Sequence, residues 1–226
     1  MKKAILISLW SVLIGTVSAQ TRGLFVPTAN GQTEPANQEK RIALVIGNQT
    51  YGGGGWQPLK NPVNDANLMA ATLRNVGFEV ITLTNASKAQ MLAGITQLVG
   101  NVRGKQTVAL VFYAGHGVEA EQKNWLVPVN DVTACRDEIS LNCISLDLIH
   151  SKLRNAGAAF NLIISDACRN NTVPFTCASS GRDGSQTGFI EFKAKGSCIA
   201  FSTAPNATAS DGQGSNSPYT AALARA

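Results

Sequence analysis

The sequence predicts an α/β fold, a three-layer sandwich around a mostly parallel central sheet. Two observations carry that prediction. Short, predominantly apolar runs recur at 41–47, 107–113 and 159–165, and segments with helical spacing lie between them. Strands that are apolar at successive rather than alternate positions are buried on both faces, as in a parallel sheet covered by helices on either side.

The element order follows from residue 41. Arg41 to Gly47 is the first strand. The segment from Tyr51 to Trp56 is a glycine-rich loop; no Gly-Lys-Ser/Thr follows it, so it is not a phosphate loop. Pro62 opens a helix at the first turn, where a missing N–H costs nothing, and Ala66, Met69, Ala70 and Leu73 form its inner stripe up to Gly77. Phe78 to Leu83 is the next strand. The helix from Ser87 to Val102 turns Met91, Ile95, Leu98 and Val99 inward, and Gly104 breaks it. Thr107 to Tyr113 is the most hydrophobic strand and is expected at the centre. A brief extended piece, Trp125 to Val129, precedes a helix capped by Ser145 and stopped at Gly157. Ala159 to Ser165 is a second central strand. A polar loop from Asn170 to Gly196, a strand from Ser197 to Ser202 and a helix opened by Ser217 and Pro218 complete the chain.

The ends read differently. Lys2 and Lys3 precede an apolar run to Val17, and Val17-Ser18-Ala19 has the small-residue pattern of a signal-peptidase site. Residues 1–19 are therefore read as a signal peptide, 20–40 as a flexible leader and 41–226 as the folded domain. This implies a periplasmic or secreted protein. Nothing else is long and apolar enough to span a membrane. Removing Lys2 and Lys3 lowers the formal charge of +5 to about +3. The remaining basic residues are scattered and aromatics are few, so nucleic acid is excluded as a partner.

Chemistry concentrates at two strand ends. His116 is one of only two histidines and sits in Tyr113-Ala114-Gly115-His116-Gly117 after one central strand; Cys168 sits in Ser165-Asp166-Ala167-Cys168-Arg169-Asn170 after another. Sites in such folds lie beyond the carboxyl ends of the strands. An imidazole that takes the proton of a thiol and returns it to a leaving amine makes a cysteine hydrolase. The backbone N–H groups of Gly117 and Cys168 are candidate oxyanion donors. A packing histidine and a buried structural thiol are the alternatives. His150, within a helix, reads as a helix-terminal imidazole, and the cysteine spacing fits no zinc ribbon or finger. No metal site is expected.

If Cys168 is the reactive thiol, the other four cysteines of an exported chain pair as Cys135–Cys143 and Cys177–Cys198. The alternative is an odd cysteine that is buried or pairs between chains.

The motifs Ala43-Leu44-Val45-Ile46-Gly47-Asn48, Leu59 to Ala66, Val111 to Gly117, Trp125-Leu126-Val127-Pro128-Val129, Ile164 to Asn170, Ala200 to Pro205 and Ser217-Pro218-Tyr219-Thr220 occur in that order. With them residues 41–222 resemble the catalytic domain of caspase-like cysteine peptidases, in particular the bacterial metacaspase-like (orthocaspase) branch. The resemblance implies a His116–Cys168 dyad cleaving peptide bonds. It also implies that Asp65 and Asp166 line the pocket for the residue before the cut. Two carboxylates there attract a guanidinium or ammonium group, so the expected substrate is a peptide or protein cleaved after Arg or Lys. Asp65 also fits an ordinary first-turn helix acid, and Asp166 an acid that orients loop amides. Ser202 is expected to offer backbone bonds to an extended substrate. The resemblance also implies that the loop 170–196 can be cut by the enzyme itself, with Arg182 as the expected site; a plain solvated loop is the alternative.

No cofactor is expected. Calcium activation, for which Asp131, Asp137 and Glu138 are the acids available, is not favoured. The resemblance implies one more strand after the last helix, which in true caspases pairs two subunits. This chain ends first, so a monomer is expected, with a truncated domain as the alternative. The competing function is a catalytically silent domain that binds basic peptides or a partner protein. A peptide ligase or an asparagine-specific hydrolase fits less well, because neutral side chains need no paired aspartates.

Overall fold

A computed structural model describes residues 25–27, 33–35, 39–53, 55–102, 104–133, 135–168, 197–203 and 212–226; of Cys168 the backbone alone is described. The expected signal peptide 1–19, Cys177, Arg182 and the loop in which self-cleavage is expected therefore lie outside the described residues. The chain divides into two compact units, 1–38 and 39–226. In the first, β1 (Phe25–Pro27) pairs antiparallel with β2 (Thr33–Pro35).

The second unit is the α/β sandwich expected. Its parallel strands are β3 (Lys40–Gly47), β4 (Glu79–Thr84), β5 (Thr107–Ala120), β8 (Phe160–Cys168) and β9 (Ser197–Phe201). They lie side by side in the order β4-β3-β5-β8-β9, every pair parallel. Beyond residue 116, β5 leaves this array and pairs antiparallel with β6 (Lys123–Leu126), which pairs with β7 (Ile144–Ser145).

Alternate residues of each central strand feed different cores. Leu44, Ile46, Val111, Tyr113 and Ile163 face α2 (Lys88–Gly100) and α4 (Leu146–Ala156), with Met91, Ile95, Ile149 and Leu153 opposite them. Ala43, Val45, Leu110, Phe112 and Ile164 face α1 (Pro62–Asn75) and α5 (Pro218–Leu223), against Met69, Leu73 and Leu223. Burial on both faces is what the continuous apolar runs require.

The helix signals act locally as read. Ser87 and Gln90 form a reciprocal capping box at α2. Ser145 Oγ accepts from Leu148 N at 3.2 Å, and Gly157 closes α4 with φ 76°. Ser217 Oγ accepts from Thr220 N at 3.0 Å, with Pro218 at the first turn of α5.

Three features differ from expectation. β5 and β8 run past Tyr113 and Ser165, to Ala120 and Cys168, so His116 and Cys168 belong to strands and not to loops. Local propensity ends at Gly115, but pairing with β6 and β8 keeps the backbone extended. A short helix, α3 (Ile139–Asn142), lies in the polar segment before β7. The disulfide framework is also corrected. Cys143 is a buried free thiol and Cys198 an exposed one, so neither Cys135–Cys143 nor Cys177–Cys198 forms. Cys143 is packed among Trp56, Val127 and Ile139. Cys198 alternates with Ile199 on β9, away from the core that Ile199 and Phe201 pack against. Cys135 is bonded, but not to Cys143.

Among the described residues, no helix is long and apolar enough to cross a membrane.

Gly47 sets the approach of α1 to the sheet. A Cβ there would lie 2.3 Å from the Pro62 carbonyl oxygen and 2.7 Å from Ala66 Cβ. The nearest of these atoms is backbone, so the clash cannot be relieved by rotating a side chain. Gly47→Ala is expected to destabilise the domain by about 1–3 kcal/mol, read as a lower urea midpoint at unchanged m-value.

Candidate active site

In the parallel array the chain switches direction between β3 and β5: α1 leads to one side of β3, and α2 returns on the opposite face to start β5. Ligand crevices form outside the carboxyl ends of strands at such a point. His116 lies there, at the end of the parallel part of β5. Its Cα register partner across the β5–β8 ladder is Cys168. Neighbouring strands are about 4.8 Å apart, so the two residues expected to carry the chemistry are backbone neighbours.

His116 is 4% exposed and held from several sides. Its backbone N–H donates to Tyr51 Oη at 2.8 Å, and Tyr113 Oη donates toward the His116 carbonyl at 2.7 Å and that of Val127 at 2.9 Å. The Tyr51 ring lies 4.6 Å from the imidazole, centroid to centroid, and that of Trp56 5.2 Å. His116 Nε2 is 2.7 Å from the Gln57 carbonyl oxygen. A carbonyl only accepts, so Nε2 carries the hydrogen and Nδ1 is the basic nitrogen of the neutral ring.

Gly115 makes this packing possible. Its φ is +155°, and a Cβ would lie 2.5 Å from Tyr113 Oη and 2.7 Å from Tyr51 Oη. Gly117 begins the antiparallel ladder opposite Leu126. Beneath the site, buried Asn48 joins three segments: its Nδ2 donates to the Val127 and Ala86 carbonyls at 3.1 and 3.3 Å, and its Oδ1 accepts from Ala86 N at 2.8 Å.

Asp65 and Asp166 come together on one element. Asp65, 1% exposed in the first turn of α1, accepts at Oδ1 from Ser217 N at 3.0 Å and Asn216 Nδ2 at 2.9 Å. Asp166, 6% exposed near the end of β8, accepts at Oδ2 from Ser217 Oγ and from Thr220 Oγ1, the latter at 2.6 Å. Ser217 thus bridges both carboxylates, and both help organise the start of α5. Ser202 continues the β9–β8 ladder by one rung, its N–H donating to the Ser165 carbonyl at 3.1 Å. Any backbone bond from Ser202 to an extended peptide therefore falls to its carbonyl.

Asp131 has a use that the sequence did not suggest. It is 2% exposed, and its Oδ2 accepts from Trp56 Nε1 at 2.5 Å while Oδ1 accepts from Thr133 Oγ1 at 2.6 Å. Glu138 closes its own short helix, accepting from Cys135 N at 3.2 Å. A cavity of about 350 Å³ lies beside Asp131, bounded by Thr50, Gly52, Gly53 and residues 129–132. Sequence reasoning also missed Tyr51, Trp56, Gln57 and Asn216. The available signal was two aromatic residues flanking four consecutive glycines, an unusual composition for a plain connection.

A family model of the caspase domain (Peptidase_C14) matches residues 40–226. The chain belongs to the caspase domain family. The caspase domain is also similar to the mucosa-associated lymphoid tissue lymphoma translocation protein 1 homolog of Mus musculus, 27% identical over 155 residues. The Homo sapiens protein of that name is 26% identical over 147 residues. These alignments cover 66% and 63% of this chain but only 18% and 17% of the relatives. The fold matches the structure of pro-sf-caspase-1 with a TM-score of 0.58 at 16% identity, over 84% of this chain and 70% of that one. The kinship is thus to caspase-type cysteine proteases, with a distant relation to these larger proteins.

Two predictions follow from the buried polar groups. Ser217→Ala removes the α5 cap and one donor to Asp166 but keeps the N–H to Asp65; a loss of about 1–2 kcal/mol is expected, measured by urea unfolding. Burial, then the neighbouring Asp131, raises the Cys143 thiol pKa from its ordinary 9.0. Burial likewise raises that of Tyr113 from 10.0. Both contributions are intact below those ordinary values and are lost as pH climbs above them, because the unfolded chain ionises first. Stability is expected to fall above about pH 9, and less steeply in Cys143→Val.

Proposed function

We propose that this caspase domain is a cysteine endopeptidase in which His116 and Cys168 form the dyad and cleavage follows Arg or Lys. The observation that carries the reading is the register pairing of His116 with Cys168 at the carboxyl ends of adjacent parallel strands β5 and β8. In this mechanism His116 keeps its Nε2 hydrogen on the Gln57 carbonyl and takes the thiol proton at Nδ1. The thiolate adds to the scissile carbonyl, and the negative oxygen is received by the N–H groups of Cys168 and Gly117. The imidazolium gives its proton to the departing amine, and water then hydrolyses the thioester.

The basic specificity is supported by two buried carboxylates on neighbouring elements, Asp65 and Asp166, joined through Ser217. Each has one oxygen engaged by α5 donors, and its negative charge favours a cation over a carboxylate. On the same residues we assign the domain to the metacaspase-like branch. Its substrates are peptides or proteins with Arg or Lys before the cut bond, and no cofactor is invoked.

The test is turnover of fluorogenic peptides ending in Arg, Lys, Asp or Asn. Arg and Lys peptides are expected to be cleaved, with turnover falling by at least about a thousandfold in Cys168→Ala and in His116→Ala. Asp65→Asn and Asp166→Asn keep an acceptor for the α5 donors while removing a charge. Each is expected to lower kcat/KM for Arg peptides about ten- to a hundredfold. Folded wild-type protein that cleaves no Arg or Lys peptide would end the proposal, and preferential cleavage after Asp would reject the pocket.

A further inference from the structure

We infer that Asp131 is a positioning residue for the general base, acting through Trp56. The inference rests on the reading of His116 just given. The Gln57 carbonyl fixes the ring hydrogen of His116, and its position depends on where the preceding residue is seated. That residue, Trp56, is 5% exposed. Its indole lies beside the imidazole at an interplanar angle of 35°, and its only polar atom is spent on Asp131.

Asp131 is held in turn. Its second oxygen is bonded to Thr133, whose hydroxyl also accepts from Asn142 Nδ2 at 3.2 Å. The backbone closes the circuit. Val127 N donates to the His116 carbonyl at 3.1 Å, Gly52 N to the Val129 carbonyl at 3.2 Å, and Asp131 N to the Pro128 carbonyl at 3.2 Å. The segment from Val127 to Asp131 thus touches both the strand that carries His116 and the loop that orients its ring. The four glycines of that loop supply no side chain to hold it, which leaves the Trp56–Asp131 bond as a side-chain anchor. A loosened anchor leaves the fold in place but lets the Gln57 carbonyl drift, and small misplacements of reacting groups cost rate more than binding.

The test uses full-length protein and three substitutions. Trp56→Phe keeps a ring and removes the indole N–H. Asp131→Ala removes the acceptor. Asp131→Asn restores it, because its amide oxygen can accept from Trp56 while its NH2 donates to Thr133. With an Arg peptide, Trp56→Phe and Asp131→Ala are expected to lower kcat about tenfold or more with KM within about twofold, and Asp131→Asn to stay near wild type. The second readout needs no turnover. The chain has two histidines, so isotope-labelled histidine gives two ring systems by NMR. The His116 Nε2 proton is expected to be protected in wild type and in Asp131→Asn, and to exchange faster in Trp56→Phe.

Unchanged kcat and unchanged Nε2 protection in Trp56→Phe would overturn the inference. So would a folded Asp131→Asn as impaired as Asp131→Ala. If Asp131→Ala does not fold, Trp56→Phe decides alone. If wild type cleaves nothing, the peptidase reading fails, while the Nε2 signal still judges whether Trp56 orients the ring.

Discussion

Strand β5 is the constraint on which the site depends, because it must satisfy two incompatible pairings in one continuous run. It lies beside parallel β3 as far as Ala114 and beside parallel β8 as far as His116; from Gly117 it pairs antiparallel with β6. The change of partner happens over Gly115, where two tyrosine hydroxyls occupy the space a side chain would need. Those hydroxyls then bond the backbone of His116 on both its N–H and its carbonyl. A buried backbone group left unpaired costs about as much as a lost hydrogen bond. The tyrosines therefore hold the kink closed and, by the same contacts, fix the imidazole.

The second constraint is electrostatic. Asp65 and Asp166 are nearly water-free, and burying a carboxylate is costly unless donors replace its hydration. Here the donors come from one short stretch, Asn216 to Thr220. The start of α5 is organised by the acids, and the acids are held in place by its donors. The donors that hold the two carboxylates also set their spacing, because Ser217 bonds both.

Much of the fold was legible because its signals are local. Ser87, Ser145 and Ser217 cap the helices they precede, and the apolar runs mark strands buried on both faces. The juxtaposition of His116 and Cys168 was legible as far as the sheet edge, since parallel strands place their carboxyl ends together. The strand extents were not, because residues 114–120 are held extended by partners far away in sequence. The disulfides failed for a related reason. Proximity of Cys135 and Cys143 along the chain says nothing about which way each side chain faces, and Cys143 faces Trp56 and Ile139. Asp131 was read as one acid among three in a polar segment, and nothing local marks it as the acceptor of an indole 75 residues away.

The glycine-rich loop shows why such long-range contacts are needed. Four consecutive glycines lose more conformational entropy on ordering than any other four residues would. They also leave room for the chain to turn from β3 back across the site. Leu59 N bonds the Gln49 carbonyl at 3.0 Å, closing the loop at its base, and Gly52 N ties its tip to Val129. A third backbone bond turns the loop within itself, from Trp56 N to the Gly53 carbonyl at 3.3 Å. Two side-chain contacts add to these: the indole of Trp56 on Asp131, and the ring of Tyr51 against His116. The Gln57 carbonyl thus meets the imidazole from a loop seated on the buried cluster around Asp131.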